Sequence, residues 1–428
     1  MKILIKNGRL IDPSQNIDSK GDLLIENGKI SQIGGQIKEQ ASETINADGK
    51  IISSGFVDMH THLREPGRED AETIETGLTA AIMGGFTTVC AMPNTEPACD
   101  SQGHVKFLLD RAREVKLANI LPVGAITKNR EGKRMTEMKE LKEAGSPAVS
   151  DDGSSVEDAE LLRRAMEYAS MVDLLVISHC EDKALFAGGV MNEGYFSTLL
   201  GLAPIPAEAE STIVERDIRL AELAGARLHI AHVSAAESVE IIRNAKKRGV
   251  KVTAEVTPHH FTLTDEALKT YDTNLKVNPP LRSSKDTEAL KKGLKDGTID
   301  VIATDHAPHL ESEKEKEFNY APFGMIGLET ALSLGVMELI EKKYLDWPEL
   351  IRKLSANPSK ILKYGRGTLE KGRVADLVII DPKKEWSYTK ETIKSHSSNS
   401  PFLGWKMTAK VTDVIVGGKV VMKEEIII

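Results

Sequence analysis

Residues 55–67 read GFVDMHTHLREPG. An apolar, β-branched run, GFVDMH, closes on two histidines at alternate positions and then on a Pro-Gly turn, the pattern of a buried strand whose carboxyl end carries polar chemistry. Seven more runs of this texture follow: FTTVCAM (86–92), NILPVGA (119–125), PAVSD (147–151), LLVISH (174–179), RLHIAHV (227–233), VKVTAEV (250–256) and IDVIATD (299–305). The segments between them are charged, Ala/Leu-rich and amphipathic, as in EDAELLRRAMEYAS (157–170) and AAESVEIIRNAKKRG (235–249). Strands alternating with crossover helices predict an α/β protein with a parallel sheet, and eight such units predict a closed TIM-type (β/α)8 barrel.

The two chain ends have a different texture. KILIKNGRLID (2–12), DLLIENGKISQIGG (22–35) and ETINADGKIISS (43–54) are short strands with Asn-Gly, Gly-Gly or Asp-Gly turns, and GTLEKGRVADLVIIDP (367–382) and KVTDVIVGGKVVMKEE (410–425) repeat the pattern. Both ends are therefore expected to build one small, discontinuous β-sandwich from 1–54 plus 366–428, outside a hydrolase barrel at 55–365. The length of 428 residues suits a barrel of roughly 250 residues or more with one accessory unit.

Composition excludes several function classes. A net charge of −8 with no block of Lys/Arg disfavours nucleic acid and acidic membrane surfaces as partners. Three scattered cysteines, Cys90, Cys99 and Cys180, support neither a disulfide framework nor a thiolate metal site. No apolar stretch reaches the roughly 18 residues of a membrane span and no signal peptide is evident, so a cytoplasmic location is expected.

The chemistry-bearing residues fall at the carboxyl ends of the predicted strands: His60 and His62 after the first, Asp152 after the fourth, His179 after the fifth, His232 at the sixth and Asp305 at the eighth. A TIM barrel gathers those ends around one mouth, so residues far apart in sequence converge there. His60-Thr61-His62 places two imidazoles on one side of an extended segment, within reach of one ion. Imidazole and carboxylate without thiolate favour Zn²⁺, with Mn²⁺, Co²⁺ or Fe²⁺ as alternatives. Six ligands exceed the needs of one open zinc site, so two ions about 3.5–4 Å apart, bridged by a carboxylate and a hydroxide nucleophile, are expected, with Asp305 as the proton shuttle.

With these residues in place, HLREPG (62–67), MPNT (92–95), SDDGS (150–154), SHCED (178–182), AHVS (231–234), TAEVTPHH (253–260), VNPPLR (277–282) and ATDHAPH (303–309) together resemble the type I dihydroorotases of the amidohydrolase superfamily. The resemblance implies two Zn²⁺ per subunit, with His60, His62 and Asp305 on one ion, His179 and His232 on the other, and Asp152 between them. Relatives bridge their metals with a carboxylated lysine, whereas here the matching position supplies a carboxylate directly; Asp151 beside it is the alternative. Arg64, Asn94, Asn278 and His309, with His62 and the backbone of Phe323 and Gly324, would hold substrate. HLESEKEKEFNY (309–320) reads as a mobile loop over the mouth, while His259, His260 and His306 read as packing or supporting residues.

The implied reaction is the reversible cyclisation of N-carbamoyl-L-aspartate to L-dihydroorotate with release of water, a step of de novo pyrimidine (UMP) biosynthesis. The same resemblance implies a homodimer, with aspartate transcarbamoylase as a candidate partner. The rivals are other cyclic amidases of the superfamily (allantoinase, hydantoinase or dihydropyrimidinase) and a non-catalytic scaffold for the transcarbamoylase. An arginine at position 64 argues against carboxylate-free hydantoin or dihydropyrimidine rings, and the full set of ligand types argues against the scaffold.

Overall fold

The structure is a computed structural model that describes residues 2–428. All eight apolar runs form parallel strands of one sheet: Phe56–Thr61, Phe86–Ala91, Asn119–Gly124, Ala148–Val149, Leu175–Ser178, Arg227–Ile230, Val252–Val256 and Val301–Ile302, each hydrogen-bonded to the next. The first and last strands meet through Asp58, whose carboxylate accepts from Thr304 N (3.1 Å) and Thr304 Oγ1 (2.6 Å), and through His62 N donating to His306 O (2.9 Å). The sheet is thereby a nearly closed barrel.

Helices on the outside follow from local signals. The first, Ile74–Gly84, starts at a capping box between Thr73 and Thr76 and stops at Gly85, whose φ of 87° is a left-handed conformation that glycine adopts without steric cost. The two amphipathic segments noted above become Ala159–Met171 and Ala236–Lys247, each with its apolar stripe buried (Leu162, Ala165, Met166 and Ala169 in the former). Inside the barrel, Val57, Met59, Cys90, Val123, Ala148, Ile177, Ala231 and Val301 form a separate apolar cluster, which makes the barrel a packed core whose chemistry can lie only at its ends. Leu175 and Ile177, and likewise Val301 and Ala303, belong to that cluster. By strand alternation the next inward positions are His179 and Asp305.

The chain ends share one nine-stranded sheet. Lys2–Asp12 pairs with Ile17–Glu26, Glu43–Asn46 and Ile51–Ser54, and Ile51–Ser54 pairs in turn with Leu377–Ser387 from the other end of the chain. This sheet has its own apolar core, including Ile3, Ile5, Leu23, Ile45, Leu377 and Ile415. Between Leu377–Ser387 and the next strand, Lys406–Val416, residues 388–405 leave the sheet and pack against the barrel. Within them Asn399 holds the mouth: its Oδ1 accepts from His309 N (3.1 Å), and its Nδ2 donates to Ala307 O (3.0 Å) and Gly324 O (3.2 Å).

The charged segment 309–320 makes several hydrogen bonds to the rest of the fold. It contains a helical turn, Glu311–Lys314, and Lys314, only 6% exposed, donates to Thr273 O (3.0 Å) and Pro322 O (2.8 Å). Lys276 Nζ donates to Phe318 O (2.8 Å) and Asn319 O (3.0 Å), and Arg68 pairs with Glu313 (2.9 Å).

Candidate metal centre

The six residues expected as ligands converge in one buried cluster. Asp152 Oδ1 lies 3.2 Å from His60 Nε2 and 3.8 Å from both His179 Nδ1 and His232 Nε2, and Asp152 Oδ2 lies 3.6 Å from His62 Nε2. Asp305 Oδ1 sits 3.0 Å from His62 Nε2 and 3.6 Å from His60 Nε2. Potential donor atoms group as His60, Asp152 and His232, and as His60, His62 and Asp305, each set within 4.8 Å. His179 adjoins the first set, its Nδ1 2.9 Å from His232 Nε2. Asp151 is turned away, its carboxylate accepting from Thr127 N (3.0 Å) and from the Thr127 hydroxyl. Alternation on an extended segment separates the two neighbours.

This donor set fits metal ions. His60 Nδ1 donates to Glu255 Oε1 (2.8 Å) and His62 Nδ1 donates to Asn94 Oδ1 (2.8 Å). Both rings therefore present Nε2 lone pairs to carboxylate oxygens at 3.0–3.6 Å, an arrangement of acceptor against acceptor that a cation resolves. His60 Nε2, Asp152 Oδ1 and His179 Nε2 are buried without a hydrogen-bond partner among the described residues, which a folded protein rarely tolerates unless a ligand completes them. The electrostatics express the same demand for positive charge. Burial raises the Asp152 and Asp305 carboxyls, but His60 and the neighbouring imidazoles outweigh it and hold both well below the ordinary range. Burial lowers His60, but Asp152 and Asp305 outweigh that and hold it well above its ordinary value, so that without a metal ion a proton at Nε2 meets the same two carboxylates. Three site residues also take positive φ, Arg64 (60°), His232 (31°) and Asp305 (49°), a local strain that clusters at functional sites.

Around the cluster stand the residues expected to meet substrate. Arg64 Nε donates to Pro308 O (3.0 Å), and Nη2 lies 3.3 Å from His309 Nε2. That ring nitrogen is 2.8 Å from Phe323 O and so carries the proton it donates there. Arg64 Nη2 thus faces a donor, and the guanidinium forms no ion pair among the described residues. Burial lowers its pKa to about 10, leaving it charged at neutral pH. Asn278 Nδ2 donates to Glu181 Oε2 (2.6 Å), which directs its carbonyl oxygen elsewhere. Gly324 N donates to Lys276 O (2.8 Å). His260 is satisfied by Thr257 Oγ1 (2.7 Å) and Pro279 O (2.8 Å), and His306 lies between Glu72 Oε2 (3.2 Å) and Gly327 N (3.2 Å). His259 is fully buried with Nε2 unpartnered among the described residues.

Three residues escaped the sequence reading: Glu255, Glu181 and Asn399. Glu255 had a signal, an acid inside the otherwise apolar or small VKVTAEV run. Asn399 had none, because it reaches the mouth from a segment outside the barrel.

Comparison with known proteins agrees with this architecture. A family described as Dihydro-orotase-like matches residues 49–238. The dihydroorotase of Acetivibrio thermocellus is 50% identical over 426 residues, covering 100% of both chains. That of Citrifermentans bemidjiense is 53% identical, covering 98% of this chain and 99% of its own. Among solved structures, the L-hydantoinase (dihydropyrimidinase) from Arthrobacter aurescens superposes with a TM-score of 0.88 at 25% identity, covering 100% of this chain and 97% of its own. Full-length identity at this level, on a barrel whose mouth gathers four imidazoles and two carboxylates, leads to one conclusion: the chain belongs to the dihydroorotases of the amidohydrolase superfamily.

Proposed function

We infer that this chain interconverts N-carbamoyl-L-aspartate and L-dihydroorotate, opening the ring by hydrolysis of its cyclic amide and closing it by the reverse path. The observation that carries the choice of substrate is Arg64. A charged guanidinium at the mouth, with no carboxylate partner among the described residues and Nη2 facing a ring N–H, suits the one group that separates dihydroorotate from hydantoin and dihydrouracil rings, its carboxylate.

Two divalent ions, read as Zn²⁺ from the imidazole and carboxylate donors, would acidify water and polarise the scissile carbonyl. In this reading His60, His62 and Asp305 hold one, His179 and His232 the other, and Asp152 lies between. Asp305, kept ionised by the imidazoles around it, takes a proton from the attacking water and delivers it to the ring nitrogen as the amide bond breaks. In closure it returns the proton to the departing water. Asn94 fixes the His62 ring, and Asn278, held by Glu181, turns an acceptor toward a substrate N–H. The protein is read as a homodimer, with aspartate transcarbamoylase as a candidate partner.

The test is ring opening of L-dihydroorotate by zinc-loaded protein, followed as loss of ultraviolet absorbance, with hydantoin, dihydrouracil and allantoin in parallel. Turnover of dihydroorotate alone is the expected result. Turnover of a carboxylate-free ring in its place would refute the assignment.

A further inference from the structure

A buried carboxylate with no place in the scheme above lies directly behind the imidazole cluster. Glu255, on the strand Val252–Val256, is 0% exposed. Its Oε1 accepts from His60 Nδ1 (2.8 Å) and from the backbone N of His232 (3.3 Å), and its Oε2 accepts from His229 Nε2 (3.1 Å). His229 Nδ1 in turn accepts from Thr253 Oγ1 (2.8 Å). No Lys or Arg pairs with Glu255 among the described residues, so its charge is met by two imidazole N–H groups and one backbone N–H. A lone buried anion is costly to fold around unless something specific is gained from it.

We propose that Glu255 is a positioning residue that locks His60 in the tautomer with Nδ1 protonated, aims its Nε2 lone pair at the metal centre, and ties that ring to the backbone of His232. Of the residues it reaches, His60 stands on the first strand and His232 just past the end of the sixth; they are assigned to different ions, so one carboxylate sets the spacing of both halves of the centre. His229 on the far oxygen fixes the rotation of the carboxylate itself. A carboxylate behind a ligating imidazole also raises its basicity, and losing such a partner typically weakens metal affinity by about 10–100-fold.

The inference rests on the metal centre assigned under the proposed function, and its test reads metal binding without any substrate. Metal-stripped protein is titrated with Zn²⁺ against a chromophoric chelator, comparing the unaltered chain, Glu255→Gln and Asp217→Asn. Asp217 serves as the control because it is equally buried and pairs with Ser178 Oγ (2.5 Å) and Arg216 (2.8 Å), with no hydrogen bond to an imidazole. Glu255→Gln should bind Zn²⁺ about 10–100-fold more weakly, and Asp217→Asn should bind within about threefold of the unaltered protein. Equal affinity in Glu255→Gln would overturn the role of Glu255 while leaving the centre standing. Failure of the unaltered chain to bind any Zn²⁺ would overturn both. If Glu255→Gln does not fold, ring-nitrogen NMR of the unaltered protein decides, since a His60 signal with the proton on Nε2 refutes the proposal and one with it on Nδ1 supports it.

Discussion

Replacing Arg64 by methionine tests the reading of the substrate most directly. The change keeps most of the side-chain volume and removes the charge and the donors. In the structure Nε is committed to Pro308 O, Nη2 faces the protonated Nε2 of His309, and Nη1 has no partner among the described residues. The terminal nitrogens are therefore free to hold a carboxylate as a fork. Two charge-assisted hydrogen bonds at about 1.5–3 kcal/mol each place the loss near 3 kcal/mol at the lower end, roughly a hundredfold or more in kcat/KM for dihydroorotate. Arg64→Lys, which keeps the charge but not the fork, should fall between the two. The assay is the initial rate of ring opening as a function of substrate concentration, with zinc content measured on the same preparations so that loss of metal is separated from loss of substrate binding. A kcat/KM within threefold of the unaltered enzyme, at equal zinc content, would refute the argument.

Three further outcomes are expected. His60→Ala and Asp152→Ala should each lose metal and turnover together, read by metal analysis alongside activity, and full activity in either refutes the assigned centre. Asp305→Asn should lower kcat by about 10²–10⁴-fold, the usual range for a general acid or base, and survival to within tenfold removes it as the proton shuttle. Burial pushes Lys314 down to about 7, against an unfolded value near 10.4. Between those values the unfolded chain binds the extra proton, so this residue makes stability rise with pH from about 7 toward 10, and below 7 its penalty is fully present. Chemical denaturation across pH 7–10 should show the unaltered protein gaining on Lys314→Met as pH rises, and parallel curves would refute it.

The barrel was legible because each strand had to satisfy a strong local constraint. A segment buried on both faces of a parallel sheet has to be apolar throughout, and the eight runs such as FTTVCAM and LLVISH announce this without reference to the rest of the chain. Six charged or imidazole side chains at the ends of such runs were legible as a site for the same reason, since the barrel's packed interior leaves them only one place to meet. Resolution failed where two readings differed by a single alternation or by a distant partner. The sequence favours Asp152 but leaves its neighbour Asp151 open, and the structure separates them: Asp152 lies 3.2 Å from His60 Nε2 while Asp151 accepts from Thr127. The segment 309–320 reads as a solvated loop because it is rich in charge, yet its Lys314 donates to the carbonyl of Thr273, and its Phe318 carbonyl accepts from Lys276 elsewhere in the fold. Local composition reports that charge is present and says nothing of what it meets.

Asn399 gives the protein an order of assembly. The loops bearing His309 and Gly324 are pinned by a residue late in the sequence, within a sheet excursion whose preceding strand, Leu377–Ser387, pairs with Ile51–Ser54. On a ribosome that releases the amino-terminal part first, the opening strands can pair with one another while one edge of Ile51–Ser54 waits for Leu377–Ser387, and the barrel's mouth stays unfastened until residue 399 emerges. A chain cut before residue 399 would display every metal ligand of the proposed centre and still lack the hydrogen bonds by which Asn399 holds the loops bearing His309 and Gly324.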